Sequence, residues 1–165
     1  MSPKVVENFL SQKNYKTLYN AINNEYFPWY YNNYKIDEDN NKLFHYQFTH
    51  TFFKNNKINS NYFIILESLL KKLKLKTLKK VKANLNPISD KLVEFGEHKD
   101  ADKEAQCMSM IYYLNTNNGY TKIKNKKIKS KANKAVFFPS HTSHFGTNST
   151  DCNNRMVLNI IYKED

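Results

Sequence analysis

Short apolar runs separated by turn-forming residues fill the second half of the chain and restrict it to a mainly β fold. Four of these runs have the length and composition of strands: residues 78–85, 106–114, 135–139 and 156–162. Asn86 and Pro87 end the first run, and residues 121–131 alternate isoleucine with lysine, as in a hairpin with one face in water. Because the strands follow at short intervals, we expect a double-stranded β-helix, a jelly-roll and cupin-like architecture with flanking helices, in the α+β class.

The first part of the chain carries helical and aromatic signals instead. A short strand or turn should lead into a short helix within residues 1–24, and Pro28 excludes a helix interior from the aromatic run at 27–34. Residues 37–42 are polar and acidic, which predicts a loop. Ser60 is a suitable helix N-cap, and the apolar residues after it recur every three or four positions. This spacing predicts an amphipathic helix whose lysine-rich side continues to residue 82.

The length of 165 residues is typical of one domain. We therefore expect a single domain over residues 1–165, with a helical and aromatic part at about 1–75 and a β-helix core at about 76–165.

The charge of the chain is strongly positive. A net charge of +11 is compatible with an anionic polymer as a partner. Lysine dominates this excess and Arg155 is the only arginine, whereas phosphate-binding surfaces usually use arginine as well. Since Asn, Ile, Tyr and Phe are also abundant, we favour a compositional bias over a dedicated nucleic-acid surface.

Cysteine usage and hydropathy indicate the compartment. Cys107 and Cys152 lie far apart and form no recognisable disulfide or metal spacing, so we expect two ordinary thiols in a reducing environment. No apolar stretch approaches the length of a membrane span, and the first residues have no signal-peptide pattern. We expect a cytoplasmic protein without membrane contact, in the host cytoplasm if the protein is viral.

A His-x-Asp pair is the first sign of a metal centre. His98 and Asp100 are two residues apart, so on an extended strand both side chains point to the same face. Two imidazoles and one carboxylate on one face of a metal leave the opposite face open, as in non-haem Fe(II) oxygenases. The third ligand must come from another strand, and both His141 and His144 follow the predicted strand at 134–139. Arg155, at the start of the last apolar run, is a fixed cation suited to holding one end of a dicarboxylate.

At these residues the chain resembles the Fe(II)- and 2-oxoglutarate-dependent dioxygenases, in particular small phage-type members and, more distantly, the prolyl hydroxylases. The resemblance rests on the order His-x-Asp, distal His and Arg, on I-Y-Y-L-N at 111–115 and on F-F-P-S at 137–140. It extends more weakly to the aromatic run at 27–31 and to residues 81–85.

The resemblance implies a set of site residues. It selects His144 over His141 as the third ligand, so that Fe(II) is held by His98, Asp100 and His144. The far carboxylate of 2-oxoglutarate would pair with Arg155, helped by Tyr113. Members of the family often place a tyrosine near the position that Asn86 occupies here, so Asn86 would make a shorter contact to the co-substrate or none.

The implied reaction is oxidation of a C–H bond. O2 is consumed as the second co-substrate, succinate and CO2 are released, and an unidentified substrate is hydroxylated, which could be a protein, an amino acid or a nucleic acid. Three alternatives remain open. They are a basic nucleic-acid-binding module without catalysis, a zinc-dependent hydrolase built on the same triad, and a β-helix protein that has lost its chemistry.

Overall fold

The structure, a computed structural model, describes residues 2–36 and 42–165. The predicted acidic loop at 37–42 lies outside the described residues, apart from Lys42. In the described part of the chain the strands are β1 (Lys4–Val6), β2 (Tyr30–Asn32), β3 (Gln47–Lys54), β4 (Lys57–Ile58), β5 (Leu75–Pro87), β6 (Met108–Tyr113), β7 (Tyr120–Ile123), β8 (Lys126–Lys129), β9 (Lys134–Pro139), β10 (His144–Gly146) and β11 (Asn154–Glu164). The helices are α1 (Gln12–Ile22) and α2 (Glu67–Leu70), with short 3-10 segments at Asn61–Leu66 and Lys103–Ala105.

The strands form two antiparallel sheets. The large sheet has the order β1-β9-β6-β11-β5-β3-β2, with β4 paired to β3, and the small sheet has the order β10-β7-β8. Strand β11 lies at the centre of the large sheet, where it pairs with β5 on one side and β6 on the other. Single bridges join Glu94 to Thr147 and His98 to His144, so the segment 94–98 runs along the other edge of β10. This pairing brings two distant parts of the chain side by side.

The two faces of the large sheet have different environments, as the alternation of residues along β11 shows. Met156, Leu158 and Ile160 are buried in the main core, together with Leu18 and Ile22 of α1. The residues between them face the small sheet, and a second cluster contains Val157 with residues of β6 to β9: Ile111, Tyr113, Ile123, Ile128, Val136 and Phe138. The inner face of the large sheet and the small sheet therefore enclose an interior space, as in the predicted double-stranded β-helix.

The strands predicted in the second half of the chain are confirmed, with β5, β6, the β7–β8 hairpin, β9 and β11 in the expected positions. The short N-terminal strand and helix are also present, as β1 and α1. No helix in residues 2–36 and 42–165 is long and apolar enough to cross a membrane.

Two expectations for the first half of the chain differ from the structure. The helix after Ser60 is a 3-10 segment followed by a single α-helical turn that ends at Leu70, and the lysine-rich residues from Leu75 onward belong to β5. Pairing of β5 with β3 and β11 on both sides satisfies its backbone groups, which outweighs the local helical spacing. Strands β1 to β4, from the part expected to be helical and aromatic, also join the large sheet.

Candidate active site

The bridge between residues 98 and 144 assembles a cluster of three ionisable side chains. The backbone N–H of His98 donates to the carbonyl of His144 at 3.0 Å, and the N–H of His144 donates to the carbonyl of His98 at 2.9 Å. The N–H of Asp100 donates to the carbonyl of Ser140 at 2.9 Å, which places the carboxylate beside the two imidazoles. One potential ligand atom from each of His98, Asp100 and His144 lies within 4.8 Å of the other two.

The distances within this cluster suit a shared cation. Nε2 of His144 lies 3.6 Å from Oδ2 of Asp100, and Nε2 of His98 lies 4.0 Å from Oδ1. The side chains of His144 and Asp100 are almost completely buried, whereas that of His98 is 36% exposed. The cluster thus has one accessible side, as a metal site needs if it is to bind a substrate.

Backbone carbonyls orient both imidazoles. Nδ1 of His98 lies 3.1 Å from the carbonyl oxygen of Gly96, and Nδ1 of His144 lies 3.0 Å from that of Thr142. A carbonyl oxygen can only accept, so Nδ1 carries the proton in each ring and Nε2 keeps its lone pair. Both Nε2 atoms face Asp100, which is the tautomer and orientation of a metal-binding histidine pair.

Two further side chains hold the Asp100 carboxylate. Ser109 Oγ donates to Oδ2 at 2.6 Å, and Asn159 Nδ2 donates to Oδ1 at 3.2 Å. Ser109 is fully buried on β6, and Ser140 Oγ lies 2.9 Å from its hydroxyl. Hydrogen bonds of this kind fix the direction of a ligating carboxylate.

The surroundings favour the neutral form of His144. Burial lowers its pKa below the ordinary value, the neighbouring Asp100 carboxylate opposes this shift, and His98 adds to it. A neutral imidazole is the form that binds a metal.

Arg155 lies at the start of β11 with its guanidinium buried, 2% exposed. Nε donates to Ser130 Oγ at 2.7 Å, Nη1 to the carbonyl of Thr147 at 3.2 Å and Nη2 to Thr121 Oγ1 at 2.9 Å. Burial lowers its pKa, and within residues 2–36 and 42–165 it forms no ion pair with a carboxylate. A guanidinium has five N–H donors, so one remains on each terminal nitrogen. The buried cation therefore retains the charge and the donors that would bind a carboxylate.

Tyr113 lies beside this guanidinium, whose carbon is 5.6 Å from the centre of the ring. Its hydroxyl is buried and forms no hydrogen bond of good geometry in the described residues. Burial raises its pKa, while Arg155 and the nearby Thr121 hydroxyl oppose the rise. A buried hydroxyl without a well-formed hydrogen bond, beside a cation without an ion-pair partner in the described residues, fits a bound carboxylate, because buried polar groups are normally satisfied.

Two glycines leave room for Arg155. A Cβ at Gly119 would lie 2.6 Å from Cδ of Arg155 and would also overlap the backbone carbonyl of Asn148. A Cβ at Gly146 would lie 3.4 Å from Nη1. The position of the arginine side chain therefore depends on the absence of a side chain at Gly119, whereas a Cβ at Gly146 would lie at an ordinary van der Waals distance.

One pocket of about 220 Å³ connects the His98–Asp100–His144 cluster with Arg155. Strands β5, β6, β7, β10 and β11 contribute to its walls, together with the segment 95–100. Asn86, opposite Arg155 in the β5–β11 register, also lines it and accepts a hydrogen bond from Lys35 Nζ at 2.5 Å. Its Nδ2 donor forms no hydrogen bond with the residues that the structure describes, so it can reach a molecule in the pocket.

The structure thus brings all six predicted site residues to a single region. His98, Asp100, His144, Arg155 and Asn86 line the pocket, and Tyr113 contacts Arg155 from behind it. His141, the alternative ligand, does not belong to the cluster of potential metal ligands found in the described residues.

Sequence reasoning missed the residues that hold the site groups in place. These are Ser109 and Asn159 around Asp100, and Thr121, Ser130 and Thr147 around Arg155. A signal was present for two of them, because Ser109 and Asn159 share the strand parity of Tyr113 and Arg155 and are polar residues in otherwise apolar strands. The other three come from separate segments and had no such signal.

Comparison with known proteins relates part of the chain to one family of enzymes. Residues 86–163 match the family model described as 2OG-Fe(II) oxygenase superfamily, and no curated protein sequence matches the chain significantly. A prolyl hydroxylase from Trichoplax adhaerens, solved with a peptide fragment of the hypoxia inducible factor oxygen degradation domain, superposes with a TM-score of 0.66 at 15% identity, over 98% of this chain and 83% of that one. A prolyl-4-hydroxylase from Pseudomonas putida gives 0.62 at 13% identity, over 99% and 92%.

A third similar structure extends the range of chemistry. The non-haem α-ketoglutarate-dependent epimerase SnoN from nogalamycin biosynthesis gives a TM-score of 0.66 at 12% identity, over 98% of this chain and 76% of that one. At these identities the structures establish the double-stranded β-helix fold alone, whereas the family match spans the segment that carries the whole site. Residues 86–163, just under half of the chain, are thus similar to the 2OG-Fe(II) oxygenase superfamily of oxidoreductases, which use Fe(II), 2-oxoglutarate and O2.

Proposed function

We propose that residues 1–165 form a single domain that acts as an Fe(II)- and 2-oxoglutarate-dependent hydroxylase. His98, Asp100 and His144 hold the iron, and Arg155 with Tyr113 holds the far carboxylate of 2-oxoglutarate. The observation that carries the proposal is that one pocket holds the ligand cluster on one side and, on the other, a buried guanidinium that has no ion-pair partner among the described residues. A dicarboxylate co-substrate would supply that partner, which neither the zinc hydrolase nor the binding module requires.

The residues of the chain bind and orient, and bound Fe(II) and 2-oxoglutarate supply the oxidising chemistry when O2 is consumed and succinate and CO2 are released. Ser109 and Asn159 hold the Asp100 carboxylate, and the backbone carbonyls of Gly96 and Thr142 hold the two imidazoles. The donors of Arg155 and the hydroxyl of Tyr113 would hold the far carboxylate of the co-substrate at one end of the pocket. Asn86 is placed to donate one further hydrogen bond to the co-substrate through its amide.

Hydroxylation is the proposed outcome, and the unidentified substrate is a peptide, an amino acid or another small molecule. The superposed prolyl hydroxylases support a peptide or prolyl substrate, whereas the epimerase indicates that similar folds also carry out other reactions. The comparisons give no support to an anionic polymer as partner.

The test is conversion of 2-oxoglutarate to succinate with Fe(II), ascorbate and O2, compared between wild type, His98→Ala and His141→Ala. We expect His98→Ala to lose activity by at least about 100-fold, since a ligand is removed, and to lose Mn(II) binding in calorimetry. His141→Ala is the matched control, because this histidine lies three residues before His144 but outside the cluster. It should keep both the enzymatic activity and the Mn(II) binding of the wild type. Equal losses in the two variants, or full activity in His98→Ala, would contradict the proposed site. Hydroxylation itself requires a product that is one oxygen atom heavier than its substrate in mass spectrometry.

A further inference from the structure

The wall of the pocket formed by β5 carries a second set of cationic groups. Alternate residues of this strand, Lys80, Lys82, Asn84 and Asn86, line the pocket. The residues between them, Val81 and Ala83, are fully buried in the main core. A central strand that presents two lysines to the interior of a barrel is unusual, because lysine is seldom buried without a partner.

The ammonium group of Lys82 has no partner in residues 2–36 and 42–165, where it forms neither a hydrogen bond nor an ion pair. Its pKa is lowered to about 8, mainly by burial and also by Lys80 and Lys54, while the Asp100 carboxylate opposes the shift. Lys82 is therefore mostly charged near neutral pH, but its positive charge is not fully balanced by a neighbouring negative group. An anion beside it would supply the missing counter-charge.

The β5–β11 register places Lys82 well away from Arg155. Arg155 lies opposite Asn86, and Asn159 lies opposite Lys82. Four residues of strand separate the two positions, which corresponds to about 13 Å along the sheet. Asn159 also donates to Asp100, so the ligand cluster adjoins the Lys82 end of the pocket. A molecule held between Arg155 and the ligand cluster occupies the other end.

Among the described residues, the pocket lining carries more positive than negative groups. Apart from Lys35, which donates to Asn86, the lining includes four cations, Lys80, Lys82, Lys99 and Arg155, and one carboxylate, Asp100. A bound Fe(II) would add two positive charges and 2-oxoglutarate would remove two, so the two together would leave this excess unchanged.

We propose that Lys82, with Lys80 beside it, forms a subsite for a carboxylate of the substrate. This inference rests on the proposed function and narrows the substrate to a carboxylic acid. A carboxylate is a better match than a phosphate, because Arg155 is the only arginine and phosphates are typically held by arginine forks or by backbone N–H groups at helix N-termini. The carboxylate would anchor the molecule on one side while a carbon atom beside it faces the ligand cluster.

The experiment compares carboxylates with their uncharged amides as ligands. Calorimetry under anaerobic conditions would use protein loaded with Mn(II) and saturating 2-oxoglutarate. The probes are the free L-amino acids against their C-terminal amides, and acetyl-Ala-Asp-Ala-amide against acetyl-Ala-Asn-Ala-amide. The first set reports a free acid and the second reports an acidic side chain of a peptide. The variants are Lys82→Met, which keeps the apolar stem, Lys82→Arg, which keeps the charge, and Lys76→Met, an exposed lysine of β5 outside the pocket.

We expect at least one acid to bind about 10-fold or more tightly than its amide. Lys82→Met should lower the affinity for that acid by about 10- to 100-fold, as for the loss of a hydrogen bond to a charged group. Lys82→Arg should restore part of the affinity, and Lys76→Met should match wild type. The affinity for 2-oxoglutarate should change by less than about 3-fold in Lys82→Met, which also shows that the variant is folded.

Three results would overturn the inference: no acid preferred over its amide, a preference that survives in Lys82→Met, or a loss of 2-oxoglutarate binding in that variant. The last result would make Lys82 a co-substrate cation and leave the proposed function intact. Failure of the wild-type protein to bind Mn(II) and 2-oxoglutarate would instead contradict the proposed function. The acid and amide comparison in metal-free protein would then still report on Lys82 by itself.

Discussion

Replacement of Arg155 is the most direct test of how the pocket holds its co-substrate. The guanidinium uses three N–H donors on Ser130, Thr147 and Thr121, and its remaining donors and its charge have no carboxylate partner in the described residues. Arg155→Met removes the charge and all five donors but keeps an unbranched apolar stem. Truncation of one partner of a buried charged pair costs about 2–5 kcal/mol. We therefore expect the Kd for 2-oxoglutarate to rise by about 30-fold to several thousand-fold.

Arg155→Lys separates charge from geometry. A lysine retains the positive charge but lacks the planar fork, so it cannot replace three directed hydrogen bonds and still bind both carboxylate oxygens. Its loss of affinity should lie between those of wild type and Arg155→Met. Both variants should bind Mn(II) with wild-type affinity, because Arg155 makes no contact with His98, Asp100 or His144.

The assay is anaerobic calorimetry of 2-oxoglutarate with Mn(II)-loaded protein, with Lys76→Met as a surface control. Circular dichroism melts would show whether each variant is folded. If Arg155→Met bound 2-oxoglutarate within about 3-fold of wild type while remaining folded, the reasoning from its unpaired donors would be refuted.

Three further predictions concern the groups around the site and one buried histidine. Ser109→Ala removes the 2.6 Å hydrogen bond to Asp100 and should lower Mn(II) affinity by about 10- to 100-fold in competition titrations, with little change in fold. Gly119→Ala places a Cβ 2.6 Å from Cδ of Arg155, and should cost about 1–3 kcal/mol in denaturant unfolding and weaken 2-oxoglutarate binding; an unchanged midpoint would contradict this. Burial lowers the pKa of His50, so as the pH falls this histidine is protonated in the unfolded chain before it is protonated in the folded protein. The free energy of unfolding should therefore decrease as the pH drops below about 6.5. His50→Gln should reduce that fall, measured by urea titrations between neutral and mildly acidic pH.

The strands of the second half could be predicted because their signal is local. In β11, the apolar residues 156, 158, 160 and 162 share one face, and in β5 Val81 and Ala83 do the same. Each such run specifies its own alternation whatever its neighbours are. The same argument predicted that His98 and Asp100 lie on one face of a strand. The structure places both at the pocket, but residue 98 forms only an isolated bridge and Lys99 lines the same pocket, so strand alternation is not the reason.

Other features could not be predicted from local pattern. The helix after Ser60 was expected to be longer, because leucines and lysines from 66 to 78 fit a helical spacing as well as a strand alternation. The segment from Leu75 onward forms a strand because β5 pairs with β3 on one edge and with β11 on the other, and β11 lies far away in the sequence.

The order of His98, Asp100, His144 and Arg155 along the chain was enough to indicate a metal- and dicarboxylate-binding enzyme, because ligand chemistry depends on residue type and strand parity. Strand position alone left His141 and His144 open, the family resemblance favoured His144, and the bridge that joins residue 98 to residue 144 is what brings His144 to the cluster. Three further features emerged only in three dimensions: the lack of an ion-pair partner for Arg155 in the described part of the chain, the lack of a well-formed hydrogen bond at the Tyr113 hydroxyl, and the two lysines in the wall formed by β5. Burial and the lack of a partner are properties of the space between segments, and no single segment of sequence contains them.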